Sequence, residues 1–236
     1  MQHTTDERFY NGRFVEVNER LVRAGLDRIA GLLNLKKGYS FKLLAIPLQK
    51  ALDGMSDGVS IGNSNFFTGQ IALTNPSHQA TITHECTHFV LGKNGLYLVD
   101  PRERDFYGRL ISETFAELTC ATEYGFREEG DPLHIIAPRD TRSAIARDLA
   151  REHRELENQK NRMSNQRIDN FLERVYERKD DDVVLDYVIQ LLAISNAYHL
   201  AKNRVSPSKL VHALKGNKNA FPIEFYINQI IRRVQT

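Results

Sequence analysis

The stretch His84-Glu85-Cys86-Thr87-His88 decides how this chain is interpreted. Its two histidines are four residues apart, a spacing that places both imidazoles on one face of a helix. Neutral imidazole is a preferred ligand of Zn²⁺, and an acid directly after the first histidine is placed to act on water at the metal. A catalytic zinc keeps three protein ligands and leaves its fourth position to water or substrate. The sequence therefore predicts a metal-binding helix and a third ligand elsewhere in the chain.

The best candidate for the third ligand is Glu113, which follows His88 by 25 residues. It lies in the segment Ser112-Glu113-Thr114-Phe115-Ala116-Glu117, which has helical character. Glu117 is one turn beyond Glu113 on the same face, so its carboxylate can accept the second ring N–H of a ligand histidine. We therefore expect a His₂Glu site built on two helices, with Glu117 behind it as an orienting acid.

These residues resemble the zincin metallopeptidases, and within them the gluzincin pattern, in which H-E-x-x-H is followed by a helix carrying E-x-x-x-(D/E). The resemblance covers roughly residues 40 to 124. It implies that His84, His88 and Glu113 bind one zinc ion. It further implies that Glu85 is the general base and that Glu117 orients His84. At position 117 this chain has a Glu where the family usually has an Asp.

The sequence around the motif predicts a helix that follows a small sheet. Asn75-Pro76-Ser77 supplies an N-cap with proline at the first helical position, and Gly92 marks the helix end. A further helix is expected from about Asn18 to Leu33. Apolar segments separated by turn residues predict three strands at residues 40–47, 59–62 and 69–74. The expected fold class is α+β, with a small mixed sheet, the metal helix and the third-ligand helix forming a zincin-like core.

The resemblance also predicts where the substrate binds. In zincins the strand just before the metal helix lines the cleft, and in this chain that strand is Gln70 to Thr74. If its edge is free, its backbone groups can pair with an extended peptide, which is how many proteases hold substrate. We therefore expect a peptide or protein partner along the Gln70–Thr74 edge strand.

The C-terminal part of the sequence is expected to be helical. Residues 140 to 168 carry dense charges of both signs and predict a solvated helix that stands off the body. Further helices are expected at residues 183–201, where three acids precede a strongly apolar segment, and at residues 207–216 and 223–234. We expect a catalytic core in residues 1–138 and a helical lobe in residues 139–236, packed together as one continuous unit.

A zinc hydrolase also uses a hydrogen-bond donor to stabilise the oxyanion of its tetrahedral intermediate. Four side chains beyond the third-ligand helix are candidates: Tyr187, Tyr198, His199 and His134. Tyr198 and His199 are adjacent in the apolar helix that is expected to pack against the zinc layer, which makes them the preferred pair. The sequence does not choose between them.

The composition is that of a soluble globular protein. The chain has 236 residues, 41% hydrophobic and 26% charged, and its formal net charge of +2 gives no electrostatic case for nucleic acid. No apolar run follows Met1, so neither a signal peptide nor a membrane anchor is expected. Its two cysteines, Cys86 and Cys120, are expected to be reduced core thiols. The cytoplasm is the expected location, with an exported effector or a phage protein left open.

The expected activity is hydrolysis of peptide bonds by a zinc-activated water with Glu85 as general base, acting on few specific protein targets. Two alternatives stay open. The scaffold could be a non-catalytic binding module, or the same residues could hydrolyse a non-peptide substrate. A structural zinc is normally closed by four protein ligands, whereas this sequence offers three and an acid in the place of a general base. The oligomeric state is left open.

Overall fold

A computed structural model describes residues 12–53, 62–96, 106–125, 144–159, 165–181 and 184–216. The strands are β1 (Phe14–Val15), β2 (Lys42–Pro47), β3 (Gly62–Asn65), β4 (Gln70–Asn75) and β5 (Ser77–His78). The helices are α1 (Glu19–Leu32), α2 (Leu48–Asp53), α3 (Gln79–Lys93), α4 (Phe106–Tyr124), α5 (Ala144–Gln159), α6 (Asn165–Glu177), α7 (Leu185–Lys202) and α8 (Pro207–Gly216). The protein is thus a mixed α+β structure, mostly helical with a small sheet, as the sequence predicted at this level.

The first helix shows why the N-terminal prediction holds. The Asn18 side chain accepts a hydrogen bond from the backbone N–H of Leu21 at 2.9 Å, which satisfies one of the free donors at the helix start. Val22, Leu26 and Ile29 then form a buried stripe with helical spacing. This stripe faces the core, and α1 packs directly on α3, the helix that carries the histidines.

The three-stranded sheet has the order β2-β4-β3, with β4 parallel to β2 and antiparallel to β3. The prediction that Gln70–Thr74 is an edge strand is therefore wrong, because these residues form the central strand. The error comes from Asn63-Ser64-Asn65. This segment resembles turn sequence, yet it forms most of β3 and pairs with β4 on the side opposite β2. Within the described residues, β3 is the strand at the edge on that side of β4.

The helix that carries the histidines begins three residues later than the sequence suggested, at Gln79. Ser77 and His78 instead form a short strand that pairs antiparallel with β1. Asn75 does not cap the helix, because its side chain binds the backbone of Val17, accepting from the N–H at 3.0 Å. The predicted cap at Asn75-Pro76-Ser77 is thus wrong, and the chain enters α3 directly from β5.

The C-terminal helices pack closely on one another. α5 was expected to be solvated, but it buries Leu149, His153 and Leu156 on one face. His153 Nδ1 lies 2.5 Å from the hydroxyl oxygen of Tyr187 on α7, and its ring meets Phe171 of α6 edge to face. The charges of α5 therefore lie on its outer side only, and the prediction of a helix standing off the body is wrong.

The helix α7 is buried along most of its length, as its apolar sequence predicted, and it packs extensively on α4. An ion pair between Arg109 and Asp186 joins the first turns of these two helices. One hydrophobic core contains residues from α1, from β4 and from each of the helices α3 to α8. The proposed division at residues 138 and 139 and the expected helix at 223–234 lie outside the described residues. In the part of the chain described, no helix has both the length and the apolar content needed to cross a membrane.

Candidate metal centre

The helix α3 is enclosed on all sides, which places its polar face inside the protein. Every residue from Ala80 to Leu91 is buried. Thr81, His84, Glu85 and His88 follow the three- and four-residue spacing of a single helical face. Polar groups at this depth require partners, because an uncompensated buried polar group destabilises a fold. The partners of the two histidines on this face come from α4.

Three side chains converge on one point between α3 and α4. The Nε2 atoms of His84 and His88 are 3.0 Å apart. The Glu113 carboxylate places Oε2 at 3.2 Å from His84 Nε2 and Oε1 at 3.5 Å from His88 Nε2. These buried groups lie close enough to bind one metal ion.

The spacing of these atoms fits a small tetrahedral ion. Ligand atoms that each bind zinc at 2.0–2.1 Å lie about 3.3–3.4 Å from one another in tetrahedral geometry. The two imidazole nitrogens are 3.0 Å apart, and they lie 3.2 and 3.5 Å from the two different oxygens of the Glu113 carboxylate, so each of these pairwise distances is close to that value. Two imidazoles and one carboxylate also leave the fourth position to water or substrate. The residues present therefore fit a metal ion with one open site.

Each histidine of the cluster has a second contact that controls its orientation. The Glu117 carboxylate oxygen Oε1 lies 3.1 Å from His84 Nδ1, in the place that the sequence predicted for it. The hydroxyl oxygen of Ser112 lies 2.9 Å from His88 Nδ1. If Nε2 of each ring bound a metal, Nδ1 would carry the proton and would lie beside that oxygen.

Ser112 was not predicted from the sequence. It precedes Glu113 and points about 100° away from it on the helix, so the ligand spacing gives no reason to select it. A serine in a helix is also most often an ordinary exposed or backbone-bonded residue. Only the packing of α4 on α3 shows that its hydroxyl reaches His88.

The metal-free cluster holds a proton strongly. Burial acts to lower the pKa of His84, but contacts with Cys120, Glu113 and Glu117 outweigh it and leave the pKa well above its usual value. Cys120 belongs to the same face of α4 as Glu113, seven residues away, and its thiol contacts His84 in addition to the Ala80 carbonyl at 3.3 Å. A metal ion would have to displace this proton, because only a neutral imidazole binds a metal ion.

Glu85 lies beside the cluster and is only 1% exposed. Its Oε1 atom is buried and makes no hydrogen bond within the described residues. A carboxylate oxygen in that state is unfavourable unless something binds it, such as a water molecule held at the metal. Gly62, the first residue of β3, lies against the Glu85 side chain. Glu85 is thus a buried acid that follows His84 in the helix, with one carboxylate oxygen that makes no hydrogen bond among the described residues.

Comparisons of the chain with protein-family models, with curated proteins and with solved structures found no match. The resemblance to zincins therefore depends on the motif and on the local geometry described above.

The other residues predicted for the site differ in their location and contacts. Tyr198 and His199 are half-buried near the end of α7, where their rings are 5.7 Å apart and Lys202 lies over Tyr198. Their role as oxyanion donors stays a prediction, and His199 is not part of the metal-binding cluster. Tyr187 contacts His153 between the C-terminal helices. His134 lies outside the described residues.

Proposed function

We propose that this protein is a zinc-dependent peptidase of the gluzincin type, hydrolysing peptide bonds in a small number of protein targets. The observation that carries the proposal is the convergence of His84, His88 and Glu113, close enough to bind one metal ion, at the helix face that also carries Glu85, whose Oε1 atom makes no hydrogen bond among the described residues. A closed structural site would use a fourth protein ligand, and no fourth residue joins this cluster in the described chain.

The roles of the side chains follow from their contacts. When bound, zinc would polarise a carbonyl group and lower the pKa of a coordinated water toward about 7. Glu85 accepts a proton from the attacking water and later donates it to the amine that leaves. Glu117 and Ser112 hold the two imidazoles in the orientation that directs Nε2 to the metal.

The preference for a peptide depends on the strand next to Glu85. With β4 in the centre of the sheet, the edge strands of the described structure are β2 and β3, and β3 is the one that lies against α3 at Gly62. An extended peptide added to β3 would lie alongside the helix face that carries Glu85 and His88. We therefore assign the substrate to β3 in place of Gln70–Thr74.

The test combines metal content with hydrolysis of a diverse peptide library. Wild type is expected to contain one zinc ion per chain and to cleave peptides. Glu85→Gln is expected to keep the zinc and to lose turnover, whereas Glu113→Ala is expected to lose the zinc. Glu123→Ala is the matched control on the same helix, because Glu123 pairs with Arg28 away from the cluster.

Each alternative has its own result in this test. Bound zinc with no cleavage of peptides favours a binding module or a non-peptide hydrolase, and a screen of ester and amide substrates then separates the two. Purified wild type that binds no zinc, or that prefers another metal, contradicts the proposal.

A further inference from the structure

Two close contacts bring the edge strand β3 down onto the helix α3. A Cβ atom built on Gly62 would lie 2.9 Å from both Cγ and Oε1 of Glu85, and 3.0 Å from Cγ2 of Thr81. At the other end, a Cβ atom built on Gly92 of the helix would lie 2.2 Å from Cγ of Phe66, which follows β3. Contacts of Cβ below 3.0 Å are essentially absent from real proteins. A Cβ atom at either position therefore requires the contacted side chain or the backbone to shift.

The two glycines lie at opposite ends of the same interface. Gly62 is the first residue of β3, is buried, and pairs with the buried Leu73 of β4, so its missing side chain would point inward to the helix. The strand then runs alongside the helix until Phe66 covers Gly92. Only the contact at Gly62 involves a residue of the metal centre.

We propose that Gly62 is a positioning residue for the general base, Glu85. This inference rests on the proposed function and adds to it the element that confines the base. A glutamate has several rotatable bonds, and the Oε1 atom of Glu85 makes no hydrogen bond in the described structure that would fix it. The backbone of β3 at Gly62 limits the space on that side. A Cβ atom at position 62 would crowd the Glu85 side chain and require its Cγ and its carboxylate to shift.

The size of the displacement sets the expected effect. Restoring an ordinary contact of at least 3.4 Å requires both Cγ and Oε1 of Glu85 to move by about 0.5 Å or more, and the carboxylate end moves farther because it turns with the side chain. A misplacement of about 1 Å at a reacting group lowers turnover by about 100-fold. The metal ligands are not in this contact, so zinc binding is expected to persist.

The test uses Gly62→Ala with two controls. Gly31→Ala places a methyl group on the exposed face of α1, where the nearest atom is the flexible Lys37 side chain at 3.6 Å. Gly92→Ala strains the same strand and helix at the Phe66 end without touching Glu85. Gly62→Ala is expected to retain one zinc per chain, to lower kcat about 100-fold and to change KM little, because the base acts only in the transition state. Gly31→Ala is expected to behave as wild type, and Gly92→Ala to lower Tm while keeping most of kcat.

A double-mutant cycle in thermal stability tests the contact without using activity. Gly62→Ala is expected to lower Tm when residue 85 is Glu. In the Glu85→Ala background, where the colliding atoms are gone, at least half of that loss is expected to disappear. Equal losses in both backgrounds would overturn the inference, as would Gly62→Ala with the kcat of wild type. If wild type cleaves no peptide, the proposed function fails, and the Tm cycle alone still supports or overturns the contact.

Discussion

Ser112 is the residue whose role depends most directly on packing, since its hydroxyl group reaches His88 from the neighbouring helix. Removing a hydrogen bond of this kind leaves the imidazole free to turn and lowers its basicity. We expect Ser112→Ala to weaken zinc binding by about tenfold, measured by competition with a zinc chelator of known affinity.

The matched control for this change is Thr119→Val on the same helix. The Thr119 hydroxyl donates to the backbone carbonyl of Phe115 at 2.7 Å and has no contact with a ligand histidine that the structure records. It is expected to keep the zinc affinity of wild type. An equal loss in Thr119→Val would show that any disturbance of α4 weakens the site, which would remove the specific role of Ser112.

The raised pKa of His84 predicts how zinc affects stability at different pH. In the metal-free protein the protonated ring contributes stability that is complete below its unfolded pKa of about 6.5 and is lost as pH rises through the higher folded value. Zinc binds only the neutral ring, so protons compete with it at low pH. The gain in Tm on adding zinc is therefore expected to increase from pH 6 to pH 8. A gain that is independent of pH would contradict this coupling.

The site residues divide clearly by how far sequence could predict them. His84 and His88 are related by helical spacing, as are Glu113 and Glu117, and the structure brings the two pairs together. Ser112 depends on the rotation of one helix against another, and no local pattern records that angle.

At the scale of elements, the edge strand β3 gives the sharpest test of substrate binding. Neighbouring residues of an edge strand alternate, with one backbone N–H pointing into the ladder and the next pointing out. Proline at the outward position removes only the donor available to a peptide, while proline at the inward position breaks the pairing with β4. We therefore expect one of Asn63→Pro and Ser64→Pro to raise KM with little change in Tm, and the other to lower Tm.

Kinetic and melting measurements on the two variants separate these outcomes. Because the substitutions are adjacent, each serves as the control for the other. If the variant that keeps its Tm also keeps the KM of wild type, the peptide does not use the edge of β3.

Elements with strong local signals were predicted well and those defined by pairing were not. The segment from Ser112 to Glu117 lies in α4 as expected, and the bounds of α1, Glu19–Leu32, match the helix expected from about Asn18 to Leu33. The edge position of Gln70–Thr74 was wrong because strand order depends on which segments meet, and Asn63-Ser64-Asn65 carries no apolar alternation to reveal its pairing. The helix start at Asn75 was wrong because Val17, distant in sequence, binds the side chain that was expected to cap it.

At the scale of the whole molecule, the two cysteines report on unfolding. Cys86 and Cys120 are fully buried in the common core. Burial raises the pKa of the Cys120 thiol to about 11 and that of Cys86 still further, so neither forms the reactive thiolate at neutral pH. We expect both thiols to be alkylated only when the molecule opens, and at the same rate.

Zinc should slow that reaction, because a ligand that binds only the folded state reduces the open fraction. At a free zinc concentration of about 100 times Kd, the labelling rate is expected to fall about 100-fold. Ser40→Cys, at an exposed position before β2, is the control that labels at once under all conditions. Rapid labelling of either native thiol would show that the core opens locally near the metal centre.

The metal ligands come from two helices that are far apart in the chain, and the second of them, α4, packs on α7. Without an ion, two glutamates and a protonated histidine lie together in the interior, and we expect the packing of α3 on α4 to be less stable. Cells degrade proteins in step with the fraction that is unfolded at any moment. We therefore expect the metal supply to govern how long each copy survives, so that a starved cell would hold few copies of this protein and not a store of idle ones.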